Sequence, residues 1–146
     1  MSDTAALLTQ AAVTLPLVGL IWTVQVVHYP LFAGVGADGF AAYERAHAAR
    51  ITWVVAPLML AELAVSGWLL WRVPAGVPAW QCYAGAAATA GIWLSTYFLQ
   101  VPRHAELAAG FDAAAHASLV LTNWLRTALW TARGGLCLAM LAARMS

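Results

Sequence analysis

The chain has 146 residues, of which 63% are hydrophobic and 9% are charged, and its formal net charge is +1. Soluble domains carry about 25% charged residues, so the composition excludes an ordinary soluble protein. The near balance of acidic and basic residues argues against nucleic acid as a partner, and the length suits one domain.

Four apolar segments are long enough to cross a bilayer, which takes about 20 residues each. They lie at about 5–27, 51–71, 80–101 and 117–141, and a short interfacial helix is expected at about 40–50. We therefore predict an all-α integral membrane four-helix bundle, one domain over 1–146, with both termini on the same side. A bacterial cytoplasmic membrane is the expected location.

All four histidines fall in the two polar connections that would share one membrane face. Carboxylates accompany them, since Glu44 and His47 are three residues apart and Asp112 and His116 are four apart, so each pair shares a helix face. Such ligands suit a transition metal, with iron or copper favoured and zinc possible. The predicted metal ligands are His28, Glu44, His47, His104, Asp112 and His116.

Two other interpretations of the histidines stay open. Two histidines on neighbouring helices would also ligate one haem axially. A single interfacial histidine more often extends to lipid headgroups or caps a helix, and only the grouping of four favours a shared site.

Polar residues inside the apolar segments form a second candidate group. Segment four carries Asn123, Arg126 and Arg133 on one face, together with Asp112, His116 and Trp130, and lipid would not tolerate that face. Glu62, near the middle of segment two, lies between Arg126 and Arg133 in depth. We expect an interior Glu–Arg pair with Asn123 nearby, which is either a structural ion pair or part of a catalytic group of Glu62, Asn123 and Arg126.

Three tryptophans in the apolar segments, Trp93, Trp124 and Trp130, are candidates to line an apolar pocket.

The two halves of the chain also resemble each other. Gln25 and His28 are expected to share a helix face, and their run resembles the one from Gln100 to His104, which indicates a parallel two-plus-two helix repeat.

Three runs carry a resemblance to known proteins: QVVHYPLF (25–32), RITWVVAPLMLAE (50–62) and NWLRT (123–127). They look like a group of small, uncharacterised bacterial four-helix membrane proteins. More distantly, the layout is similar to the anthrone oxygenase-like (DUF1772) membrane family, in the proline-containing ends of helices one and three and the Trp/Asn/Arg patch of helix four. That resemblance implies oxygenation of a polycyclic aromatic or related apolar substrate.

Taken together, these features predict a metal-dependent integral membrane oxidoreductase or oxygenase that acts on an apolar small molecule. The alternatives are a b-type haem electron-transfer protein, and a non-enzymatic small transporter or complex subunit that uses Glu62 and Arg126. The lipid bilayer is an expected partner, and small residues such as Gly85, Ala86 and Ala87 would allow a homo-oligomer.

Overall fold

The computed structural model describes residues 1–145, which form four long helices and no strand. The helices are α1 (Asp3–Thr23), α2 (Ala37–Trp71), α3 (Ala79–Ser95) and α4 (Ala113–Met145). The all-α four-helix prediction is therefore confirmed.

Helices α1 and α3 both continue through a π-helical segment and a proline. The segment Val24–His28 follows α1 and leads into Tyr29–Leu31, and Thr96–Gln100 follows α3 and leads into Val101–Leu107. Each proline lacks the N–H that an α-helix needs, and the wider π turn accommodates it. The two halves of the chain thus carry the same irregularity at corresponding places, and both helices extend further than predicted.

The prediction of a separate interfacial helix at 40–50 is wrong, because α2 runs without interruption from Ala37 to Trp71. Residues 40–56 contain no glycine or proline, so nothing in the backbone stops the helix near residue 50. The break comes earlier, at Gly36, whose φ of 85° favours glycine. The polar run 40–50 is therefore the first part of a rod whose second part is the apolar segment 51–71.

The helices pack in sequential order around the bundle, with α4 closing the ring against α1. The start of α1 and the end of α4 both lie beside the turn between α2 and α3. Arg72 Nε is 3.4 Å from an Asp3 carboxylate oxygen and the Ala75 N–H donates to Asp3, while a Cβ on Gly76 would lie 3.5 Å from the Ala143 carbonyl oxygen. The first and last described residues are therefore at one end of the bundle. We call the opposite end, which holds the connections 32–36 and 108–112, the histidine end.

The surface of the bundle is strongly apolar. Trp53, Trp71 and Leu121 are 83%, 82% and 72% exposed. Two helical stretches, Asp3–Gly34 and Ala37–Trp71, are long and apolar enough to cross a membrane, and only 39% and 28% of their most apolar windows are buried. The inner surface is mixed, because α4 buries Asn123, Arg126, Trp130 and Arg133, as its spacing predicted.

Candidate functional site

Four side chains form a connected line at the histidine end. His104 Nδ1 lies 2.5 Å from Glu44 Oε1, and His104 Nε2 lies 2.9 Å from the Tyr29 hydroxyl oxygen. On its other side, the Tyr29 hydroxyl interacts with the guanidinium of Arg126. Each helix supplies one member: Tyr29 follows α1, Glu44 is on α2, His104 follows α3 and Arg126 is on α4. We call this line the relay.

The donors and acceptors of the relay follow one direction. Arg126 is a cation that can only donate, so the Tyr29 oxygen is the acceptor in their interaction. An ionised Glu44 can only accept, so His104 Nδ1 donates to it and Nε2 of His104 accepts the Tyr29 hydroxyl proton. The line therefore joins a cation to an anion through two groups that can each gain or lose a proton.

Arg126 is held by a polar group of α4 that is in turn bound to the π segment after α1. Its Nη1 donates to Asn123 Oδ1 at 3.2 Å, and Asn123 Nδ2 donates to Gln25 Oε1 at 2.8 Å. The guanidinium carbon also lies 5.0 Å from the centre of the Trp130 ring, a cation–π contact. Asn123 therefore positions Arg126, and these two members of the predicted group of Glu62, Asn123 and Arg126 are in contact.

An apolar cavity of about 370 Å³ lies beside the relay and is partly open. Its polar end consists of Tyr29, His104, Arg126 and Gln100, and most of its remaining walls are apolar. Residues of the other walls include Leu17, Ile21, Val55, Met59, Trp93 and Trp130. A mostly apolar cavity with a few polar groups at one end is typical of a small-molecule site. Trp93 and Trp130 line it as predicted, whereas Trp124 packs edge-on against Trp22.

His28 and His47 form a pair of their own. His28 Nε2 and His47 Nδ1 are 2.9 Å apart, and both side chains line a shallower groove of about 480 Å³ that also includes Tyr43 and Arg50. His28 and Gln25 do not share a face as expected, because Gln25 binds α4 through Asn123 and the carbonyl of Val120. The π turn between them changes the helical spacing on which that expectation depended.

The two other predicted ligands, Asp112 and His116, form hydrogen bonds with backbone groups. Asp112 Oδ1 accepts from the Ala115 N–H at 2.7 Å and caps α4, while His116 Nε2 donates to the Tyr29 carbonyl at 2.8 Å. Over residues 1–145, no three His, Cys, Asp or Glu side chains are grouped so that they could hold a metal together. The structure thus brings His28, His47, His104 and Glu44 close to one another but does not assemble the six predicted ligands into one cluster.

The expected interior ion pair forms between Glu62 and Arg133, not between Glu62 and Arg126. Arg133 Nε lies 2.7 Å from Glu62 Oε1, and both side chains are almost completely buried. Thr14 and Trp130 also donate to the Glu62 carboxylate, at 2.7 and 3.1 Å. Every oxygen of Glu62 has a partner and Glu62 does not line the cavity, which fits a structural pair that fixes helix register.

Tyr29 is the site residue that sequence reasoning missed. It is 4% exposed and takes part in both the relay and the cavity wall. In the sequence it stands between His28 and Pro30, just after the first apolar segment. Its position directly after His28, a predicted metal ligand, was the available signal.

Compared with models of protein families, with curated proteins and with solved structures, the chain gives no match. The site must therefore be interpreted from its own geometry.

Proposed function

We propose that the protein is an integral membrane oxidoreductase that binds an apolar substrate in the cavity and exchanges a proton with it through the relay. Membrane insertion is supported by two spanning-length helices whose apolar residues are mostly on the outside. Water would solvate that surface poorly, whereas lipid covers it at no cost in hydrogen bonds. A bacterial cytoplasmic membrane is the location that we propose.

The observation that carries the proposal is the position of the Tyr29 hydroxyl. It lies in the cavity wall, with a cation on one side and a His–Glu pair on the other. If the Tyr29 proton moves to His104, the phenolate is stabilised by Arg126 and the imidazolium by Glu44. Such an arrangement lets Tyr29 act as a general base toward a substrate C–H or O–H, and later as an acid.

Proton removal is the half of an oxidation that this site supports best. A hydroxyaromatic or similar molecule that loses a proton becomes electron-rich, and dioxygen, as the oxidant, would take electrons from that anion more readily than from the neutral form. Because apolar walls exclude water, the charges at the polar end act more strongly than they would in solution.

A transition metal is the second part of the proposal, with iron or copper favoured. Glu44 Oε2 and His47 Nε2 are both buried at the histidine end and have no hydrogen-bond partner. With its proton on Nδ1, His47 donates to His28 and keeps a lone pair on Nε2, while Glu44 accepts from His104 through its other oxygen. Metal-binding histidines and carboxylates are usually hydrogen-bonded in this way. Glu44 and His47 would then bind the ion, and substrate or water would complete its coordination.

Oxygen uptake with anthrone as the probe tests the oxidoreductase. Wild-type protein in lipid nanodiscs is expected to consume oxygen faster than empty nanodiscs. Tyr29→Phe should lower that rate by about 100-fold or more, because it removes the acid–base group. Tyr83→Phe is the matched control, since Tyr83 is 57% exposed and lies outside the cavity. Equal rates for wild type and Tyr29→Phe would exclude the relay from the reaction.

Elemental analysis and a visible spectrum of protein produced in metal-replete medium test the metal. About one equivalent of iron or copper is expected, with most of it lost in Glu44→Gln and His47→Ala. His116→Ala should retain the metal, because His116 binds the Tyr29 carbonyl. Full retention in Glu44→Gln and His47→Ala would end the metal proposal, and a Soret band would replace it with haem.

A further inference from the structure

We infer that the substrate carries an anionic oxygen, such as a carboxylate, which binds Arg126 at the polar end of the cavity while its apolar body fills the rest. This inference rests on the proposed function, and it adds the chemical class of the substrate.

The first observation is a buried guanidinium with no carboxylate of its own. Arg126 is 7% exposed, and within residues 1–145 no Asp or Glu oxygen lies within 4.0 Å of it. The two buried carboxylates are engaged elsewhere, Glu44 with His104 and Glu62 with Arg133. A buried cation is costly unless an anion accompanies it, so the site is electrostatically incomplete without a ligand.

The second observation is a set of unsatisfied polar atoms around the same cavity. Arg126 Nε, Trp93 Nε1 and Gln100 Oε1 are all buried and have no hydrogen-bond partner, and all three residues line the cavity. Buried polar atoms are rarely left unpaired in folded proteins. Because two of these atoms are N–H donors, they call for an acceptor, and an oxyanion is the strongest acceptor available.

The contrast with Arg133 supports this interpretation. Arg133 lies on the same face of α4, two helical turns further along, and all of its nitrogens are paired: with Glu62, the Gly85 carbonyl and Ser66. It does not line the cavity. One arginine of this face is thus fully paired inside the bundle, whereas the other meets an open space. The difference favours a binding role for Arg126 and a structural role for Arg133.

Equilibrium binding of two matched probes tests the inference. The probes are 2-naphthoate and methyl 2-naphthoate, which share one apolar body and differ in charge. Binding is measured by titration into protein-loaded nanodiscs, and the partition into empty nanodiscs is subtracted. Wild-type protein is expected to bind the carboxylate about tenfold or more tightly than the ester. One hydrogen bond between charged groups typically contributes at least the binding free energy that a tenfold change in Kd requires.

Arg126→Gln should remove the preference for the carboxylate while leaving the affinity for the ester within about twofold. Arg126→Lys, which keeps the charge, should retain part of the preference, and a thermal melt of each variant checks its fold. The wild-type comparison needs no variant, so it decides the question even if Arg126→Gln does not fold.

The outcomes separate this inference from the proposed function. Equal affinities of wild type for both probes, or an unchanged preference in Arg126→Gln, would overturn the anionic substrate and leave the apolar pocket intact. A carboxylate preference together with full activity in Tyr29→Phe would support the anionic substrate and reject the relay. Binding of neither probe would overturn the inference.

Discussion

Tyr29 and His104 carry the chemistry of the site because of where their polar atoms lie. The Tyr29 hydroxyl is the point at which the charge of Arg126 meets the His104–Glu44 pair. A tyrosine at a span end normally places its hydroxyl in the headgroup region. Here it is buried, and its hydroxyl has partners on both sides. Function at this scale depends on which nitrogen of His104 holds the proton.

The protonation of His104 can be measured directly. Nitrogen-15 NMR of histidine-labelled protein is expected to show His104 with its proton on Nδ1, because Glu44 Oε1 lies 2.5 Å from that atom. In Tyr29→Phe, Nε2 loses its donor, so its resonance should move toward that of a free imidazole nitrogen. Tyr83→Phe should leave the spectrum unchanged. A wild-type proton on Nε2 would reverse the direction that we assign to the relay.

The helices deliver these side chains through their irregular parts. The π segments Val24–His28 and Thr96–Gln100 each precede a residue of the relay on the same rod. Single-turn π segments are rare in helices and occur often at functional sites. On α2 the corresponding feature is the sharp start at Gly36, which places Glu44 and His47 two to three turns into a continuous helix.

Two glycines at the start of α2 provide a matched test of its geometry. Gly36 has a φ of 85° and Gly39 lies inside the helix, and a Cβ at either position would meet nothing within 4 Å. Gly36→Ala should therefore lower the free energy of unfolding by about 1 kcal/mol through backbone strain alone. Gly39→Ala should raise it by up to about 1 kcal/mol, because alanine favours the helix. Thermal unfolding in detergent measures both, and a stabilising Gly36→Ala would contradict the assigned turn.

At the scale of the whole molecule, the bundle divides its polar groups between two depths. The relay and cavity occupy the histidine end, while the Glu62–Arg133 pair joins α2 to α4 deeper in the bundle and also contacts Thr14 on α1. A buried, fully paired ion pair contributes to register more clearly than to net stability.

The Glu62–Arg133 pair should show strong coupling in a double-mutant cycle. Glu62→Leu alone leaves a buried arginine unpaired and should cost about 3–5 kcal/mol, whereas adding Arg133→Met should restore most of that loss. The exposed pair Arg103–Glu106 is the control, and its removal should cost about 1 kcal/mol or less. The measurement is unfolding in detergent, and additive losses from Glu62 and Arg133 would show that the two do not act as a pair.

Sequence alone was sufficient for the features that depend on hydrophobic length and periodicity. The lengths of the apolar runs predict four helices, and an even number of helices places both ends of the chain at one end of the bundle. The 3.6-residue period predicts the inward face of α4, because its polar side chains could not face lipid. Glu62 could likewise be recognised as buried and paired, although its partner could not.

Tertiary structure decided which polar groups meet. Arg126 and Arg133 are two helical turns apart, and which of them pairs with Glu62 depends on how far α2 and α4 are offset along their axes, which the sequence does not specify. The π segments shift the faces of α1 and α3, so the histidines divide into a His28–His47 pair, a relay through His104 and a backbone contact by His116. Tyr29 became a site residue only because that shift turns its hydroxyl toward the cavity. Local periodicity predicts a face, and the contacts between faces depend on how the helices pack.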